Sequence, residues 1–204
     1  MQYSVRTHNQ LFDLSSARVM AIINITPDSF YTSCQTLSER EVLSAAEKAI
    51  ADGADILDLG ACSTRPNSTP VEEAEEWCRL APALRAIRHH WKDVIISVDT
   101  FRADVADKAL AAGADIINDV YGGEAEPAIW DVVSKYHAPY ILTHSSDIPI
   151  DEEYDHTLST VVGDLQRKLD TLHHRGIADV IIDPGFGFGK TLEQNYRLLH
   201  DLQV

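Results

Sequence analysis

"GADILDLG" (Gly53–Gly60) returns as "GADIINDV" (Gly113–Val120) and, loosened, as "GIADVIIDPG" (Gly176–Gly185). Each copy puts a glycine just ahead of a run of apolar, largely β-branched residues. A glycine there ends a helix in the left-handed conformation, and the run that follows reads as a buried strand. Similar runs stand at Val19–Asn24 ("VMAIIN"), Val94–Asp99 ("VIISVD") and from Tyr140 ("YILTH"). Between them lie helical patterns with start signals: a capping box at Ser38–Glu41, and Thr69-Pro70-Val71-Glu72 with proline at the first helical position. Alternating strands and helices call for a parallel sheet, because each strand must return through a crossover before it pairs with the next.

The strand ends decide which parallel sheet this is. A doubly wound dinucleotide fold wants G-x-G-x-x-G after its first strand, where this chain has "NITPDSFY". Instead the strands end in Asn24, Asp58, Asp99, Asn118 with Asp119, His144 and Asp183. Turn formation explains some of these polar ends, but the whole set fits a TIM-type (β/α)8 barrel, in which the C-terminal strand ends converge on one mouth. The chain supplies about six strand–helix units, where a closed barrel has eight. The expectation is one domain, residues 1–204, holding the first six βα units of a truncated barrel.

Composition narrows the partners. With 204 residues, 45% hydrophobic and 24% charged, the chain can bury a sizeable core. A net charge of -15 argues against nucleic-acid or anionic-membrane surfaces, which require basic patches. No stretch approaches the ~20 apolar residues of a membrane span, and the N-terminus does not read as a secretory signal. The three cysteines, Cys34, Cys62 and Cys78, form no C-x-x-C pair and suit a reducing compartment, so a soluble cytoplasmic protein is expected.

The glycine-rich "DPGFGFGKT" (Asp183–Thr191) invites a phosphate-loop reading, which its spacing refuses. Gly185 and Gly189 enclose three residues where a Walker A loop has four. Its two phenylalanines suit the flat face of a ring instead. Asp183 at the end of its strand, with Asp99 in "SVDTF" and Asn118 in "IINDV", could then hold an aminopyrimidinone ring by its donor and acceptor pattern. Lys190 reads as solvated or as part of a helix start. The pairs His89-His90 and His173-His174 fall at helix ends without metal-ligand spacing.

Taken together, "NITPDSF" (24–30), "STRP" (63–66), "SVDTF" (97–101), "GADIINDV" and "DPGFGFGKT" resemble the dihydropteroate synthase family, in order from about Val19 to the end. The resemblance implies a transferase of folate synthesis. It joins 4-aminobenzoate to the methylene carbon of a dihydropterin methyl diphosphate and releases pyrophosphate. It further implies that Asp99, Asn118 and Asp183 hold the pterin and that Asn24 contacts Mg2+. Thr64 and Arg65 meet diphosphate and aminobenzoate, with Arg65 stabilising the leaving group, and Pro66 and Phe188 lie near the aminobenzoate. A homodimer is the usual assembly of the family.

Several positions depart from the family pattern. Ser29-Phe30-Tyr31-Thr32-Ser33-Cys34 stands where Ser-Phe-Ser-Asp-Gly-Gly is usual, so Thr32 replaces a loop carboxylate. Cys62 and Thr143 also replace customary residues, the latter making an apolar wall more polar. The family's lysine after the seventh strand and Ser-x-Arg after the eighth would fall beyond Val204, and catalysis by this chain alone is expected to be severely weakened. Two other readings are a reduced-folate-binding methyltransferase, which "TPDSF" and "STRP" disfavour, and a non-catalytic pterin-binding paralogue.

Overall fold

The computed structural model describes residues 3–8, 10–25, 38–62, 71–146 and 154–203. A short antiparallel hairpin, β1 (Ser4–Arg6) and β2 (Leu11–Asp13), precedes the strand–helix alternation. There follow β3 (Met20–Asn24), α1 (Glu39–Ala51), β4 (Ile56–Gly60), α2 (Glu73–His90), β5 (Ile95–Asp99), α3 (Ala103–Ala111) and β6 (Ile116–Asp119). The chain continues through α4 (Ile129–Tyr136), β7 (Tyr140–Thr143), α5 (Tyr154–His174), β8 (Val180–Asp183) and α6 (Leu192–His200). Strands β3 to β8 form one six-stranded parallel sheet in sequence order. This is the expected run of six βα units, and each of the expected strands is present.

Alternation along the strands sorts their side chains into two layers. Leu57, Leu59, Ile96, Val98, Ile117, Tyr140 and Leu142 join the main core with helix residues such as Leu80, Leu84 and Ile87 of α2. Each such burial is worth roughly 1.5–3 kcal/mol. On the inner face Ile56, Ile95, Ile116 and Ile141 form a second, smaller cluster, against which Phe12 of β2 packs from below together with Met20 and Ile181. The hairpin thus plugs the N-terminal end of the sheet, leaving the polar strand ends at the opposite end.

The glycine-led repeat has a second role at that lower end. Its glycines take positive φ as expected, +100° at Gly53, +104° at Gly113 and +80° at Gly176. The aspartate two or three positions later then satisfies backbone N–H groups of neighbouring segments. Asp55 Oδ2 accepts from Val19 N at 2.8 Å, Asp115 Oδ2 from Ile96 N at 2.9 Å, and Asp179 Oδ2 from Arg6 N at 2.9 Å. Asp115 also pairs with Arg88 at 2.6 Å.

The capping box at Ser38 forms as expected, with Ser38 and Glu41 bonding reciprocally. The start of α2 is shifted: the helix begins at Glu73 with Glu72 as its extended N-cap, not at Pro70. The guanidinium of Arg102 takes the Val71 carbonyl and holds this approach out of the helix. His89-His90 and His173-His174 occupy the last turns of α2 and α5. No described helix is long and apolar enough to cross a membrane.

Candidate active site

The upper strand ends fall into one row. Pairing places Asn24 opposite Gly60, Gly60 opposite Asp99, and Asp99 opposite Asn118, so four adjacent strands present these residues at one level. Asn24 and Asp99 both flank the space above Gly60: a Cβ built there would stand 3.7 Å from Asn24 Oδ1 and 3.4 Å from Asp99 Oδ2. Asp183 shares the inward parity of Ile181, one step higher, where it pairs with Thr143. Its Oδ1 accepts from Gly185 N at 2.8 Å, which leaves the second oxygen for a ligand.

The electrostatics of this row are unusual. Burial, helped by the negative fields of Asp58, Glu76 and Asp119, pushes the Asp99 carboxyl up to about 8. It therefore holds its proton through much of the neutral range, and a partner with a positive or donor-rich edge would restore the charged form. Asp119, beside Asn118 in sequence, faces the helical layer instead. It is fully buried and accepts from Tyr140 Oη at 2.7 Å, Tyr121 N at 2.9 Å and Gly123 N at 2.8 Å. It shapes the loop after β6 and does not line the row.

Lys190 directly precedes Thr191, the N-cap of α6, as a helix start implies, but it is part-buried rather than solvated. Its Nζ lies 2.8 Å from the Gly185 carbonyl, 2.9 Å from that of Phe188, 3.3 Å from that of His144, and 3.0 Å from His144 Nδ1. Burial brings this amine down to about 8. Burial and the Lys190 charge bring His144 down to about 4. The lysine pins the glycine-rich loop, with Phe188 half-buried in it, to the end of β7. It is thereby occupied with backbone carbonyls and does not serve as a phosphate-loop lysine. His144, 46 residues away in sequence, supplied no local signal for this.

A second cation network stands behind the mouth. Glu76, 1% exposed, accepts from Thr100 Oγ1 at 2.6 Å and pairs with Arg102, whose guanidinium lies over the Phe101 ring at 4.9 Å. Arg102 and Lys190 are thus both engaged with protein groups. Cys62, two residues past β4, has its thiol pKa raised by burial and by Glu76, which makes it a poor nucleophile. Thr64, Arg65, Pro66 and Thr32 lie outside the described residues. The groove of about 460 Å³ between α5, α6 and the outer side of β8 is lined mainly by apolar residues such as Leu165, Ile182, Leu198 and Leu202, with Gln166 and Asp201 among them, and none of the row residues lines it.

Comparison with known proteins gives the row its context. The family model described as "Pterin binding enzyme" matches residues 20–204. A dihydropteroate synthase of Streptococcus pyogenes serotype M6 is 38% identical over 189 residues, covering 92% of this chain and 70% of that protein. The chain belongs to the dihydropteroate synthase family. Solved members of the family superpose closely. The enzyme of Xanthomonas albilineans, determined with 4-aminobenzoic acid, has a TM-score of 0.86 at 33% identity and covers 99% of this chain and 73% of its own. That of Coxiella burnetii, in complex with pteroic acid, has a TM-score of 0.86 at 34% identity over 98% of this chain and 74% of its own. The dihydropteroate synthase fold therefore accounts for the strand order and for the row of strand ends at Asn24, Gly60, Asp99 and Asn118.

Proposed function

We propose that this chain is a transferase of folate biosynthesis that condenses 4-aminobenzoate with a dihydropterin methyl diphosphate, giving dihydropteroate and pyrophosphate. The observation that carries the reading is the single row of Asn24, Gly60, Asp99 and Asn118, with Asp183 above it, in a member of the dihydropteroate synthase family. The two carboxylates and the amide bind and orient the pterin ring by its donor-rich edge. As the carbon–oxygen bond breaks, positive charge grows on the ring, and ionised Asp99 and Asp183 stabilise it. Aniline nitrogen is a weak nucleophile, so holding it against that developing charge supplies much of the rate. Phe188 and Pro66 would flank the aminobenzoate, while Thr64 and Arg65 would meet the departing diphosphate.

Mg2+ fits the donors present. Asn24 Oδ1 offers a hard oxygen at the mouth, and among the described residues no group of three or more histidine, cysteine or carboxylate ligands competes as a dedicated metal cage. Mg2+ is commonly held by one or two protein oxygens together with substrate phosphates and water. When bound, it would neutralise charge on the diphosphate. Residues 1–204 as one barrel domain, a homodimeric assembly and a cytoplasmic location belong to the same proposal and rest on the family and on the composition.

The test is pyrophosphate release coupled to dihydropteroate formation from the two substrates. Both products should appear in equal amounts, depend on Mg2+, and fall at least about tenfold in Asp99→Asn and Asp183→Asn, the loss expected when a charged hydrogen bond to the ring is removed. Saturable pterin binding without product would place the chain among non-catalytic pterin binders. Transfer of a methyl group from a reduced folate, without pyrophosphate release, would replace the proposal with a methyltransferase.

A further inference from the structure

Asp58 lies on β4 two residues below Gly60, 3% exposed, with an inward side chain. Its Oδ2 accepts a hydrogen bond from Asn118 Nδ2 at 3.1 Å. The bond spans from β4 to β6 across the intervening strand β5. Its other oxygen, Oδ1, and the hydroxyl of Ser97 are both buried without a well-formed hydrogen bond among the described residues. Ser97 is the register partner of Asp58 on β5; burial raises the Asp58 carboxyl above its ordinary value, and the Ser97 hydroxyl and the Asn118 amide offset part of that rise.

An asparagine amide has one donor end and one acceptor end. With the donor end held by a buried carboxylate one row below, the Asn118 oxygen is turned up toward the row of Asn24, Gly60 and Asp99. Reversing the amide would set two oxygens against each other in a buried site, leaving both without a donor. Should Asp58 carry a proton, Ser97 stands beside Oδ1 to receive it, and Oδ2 remains the acceptor for Asn118.

We infer that Asp58 is a positioning residue: it fixes the amide of Asn118 with its oxygen toward the mouth, so that the site demands a hydrogen-bond donor from its ligand at that point. With Asp99 and Asp183, the ligand edge then meets three acceptor oxygens, and a ring offering an acceptor to the Asn118 oxygen is disfavoured. The identity of the ligand rests on the pterin reading above, whereas the coupling of Asp58 to Asn118 does not.

Two measurements on the full chain separate these claims. The first is the ratio of affinities for pterin and for lumazine, which carries a carbonyl in place of the 2-amino donor, by fluorescence titration. Asp58→Ala is expected to lower the wild-type preference for pterin by about tenfold, the value of one hydrogen bond to a polar group, while Asp58→Asn, which keeps an acceptor oxygen, holds it within about threefold. The second is the side-chain amide signal of Asn118 in 1H–15N spectra, assigned through its loss in Asn118→Asp. In the wild type one of its two protons should exchange slowly, and Asp58→Ala should abolish that protection. Should Asp58→Ala not fold, Asp58→Leu, which refills the volume without an acceptor, replaces it. An unchanged pterin preference in the acceptor-free variants, or a wild-type Asn118 amide with two equally fast protons, overturns the inference. If the wild type binds neither pteridine, the pterin reading fails, and the amide signal alone still decides for or against Asp58.

Discussion

Asp99 is a residue whose charge the fold opposes strongly. Its carboxyl rises from 3.8 to about 8, so between those values the folded chain binds a proton that the unfolded chain has released. Stability from this group is therefore intact below about pH 4 and is lost as pH climbs through about 8. Asp99→Asn carries no such penalty. Urea unfolding should show the variant gaining on the wild type from pH 4 to pH 9, with most of the gain present by pH 8. An equal difference at both ends of that range would mean that Asp99 is not perturbed as described. The other residues of the row, Asn24, Asn118 and Asp183, were legible in the sequence because each ends a β-branched run. Asp58, expected at a strand end, lies in the middle of β4, and its role depends on a bond to a strand two places away. Lys190 does stand at a helix start, directly before Thr191, the N-cap of α6, but its burial was not legible because two of its partners, the carbonyl and ring of His144, come from another element.

At the scale of elements, the glycine-rich loop after β8 shows why its composition mimics a phosphate loop. Gly185, at φ +70°, would place a Cβ 1.9 Å from the His144 carbonyl oxygen, so the loop needs glycine to lie against the end of β7. Gly187, at φ +85°, has no atom within 4 Å of the same position. The two sites share the backbone cost of a left-handed residue, about 1–2 kcal/mol, and only Gly185 adds overpacking of about 1–3 kcal/mol. Gly185→Ala should therefore destabilise the protein clearly more than Gly187→Ala in denaturant unfolding, and equal losses would remove the packing explanation. The start of α2 was misplaced by three residues because the cation that restrains Val71 comes from the approach to α3. Strands β1 and β2 were missed since three residues each are too few to show a period.

For the whole molecule, one sheet carries two chemistries at its two ends. The lower end is tied by the repeated aspartates and plugged by Phe12, which gives stability. The upper end gathers acceptors that gain nothing for folding, and Asp99 is held there at a cost. The barrel-type order was legible because a parallel sheet in sequence order is what repeated strand–helix units produce. The net charge of -15 and the engagement of Lys190 and Arg102 with protein groups leave the described mouth strongly acidic, which suits a donor-rich ring. The most direct measurement is a crystal structure of this chain grown with pteroic acid. The account expects the pterin ring within hydrogen-bonding distance of Asp99, Asn118 and Asp183 together; a ring bound elsewhere, for instance in the apolar groove between α5 and α6, with those three side chains untouched, would contradict it.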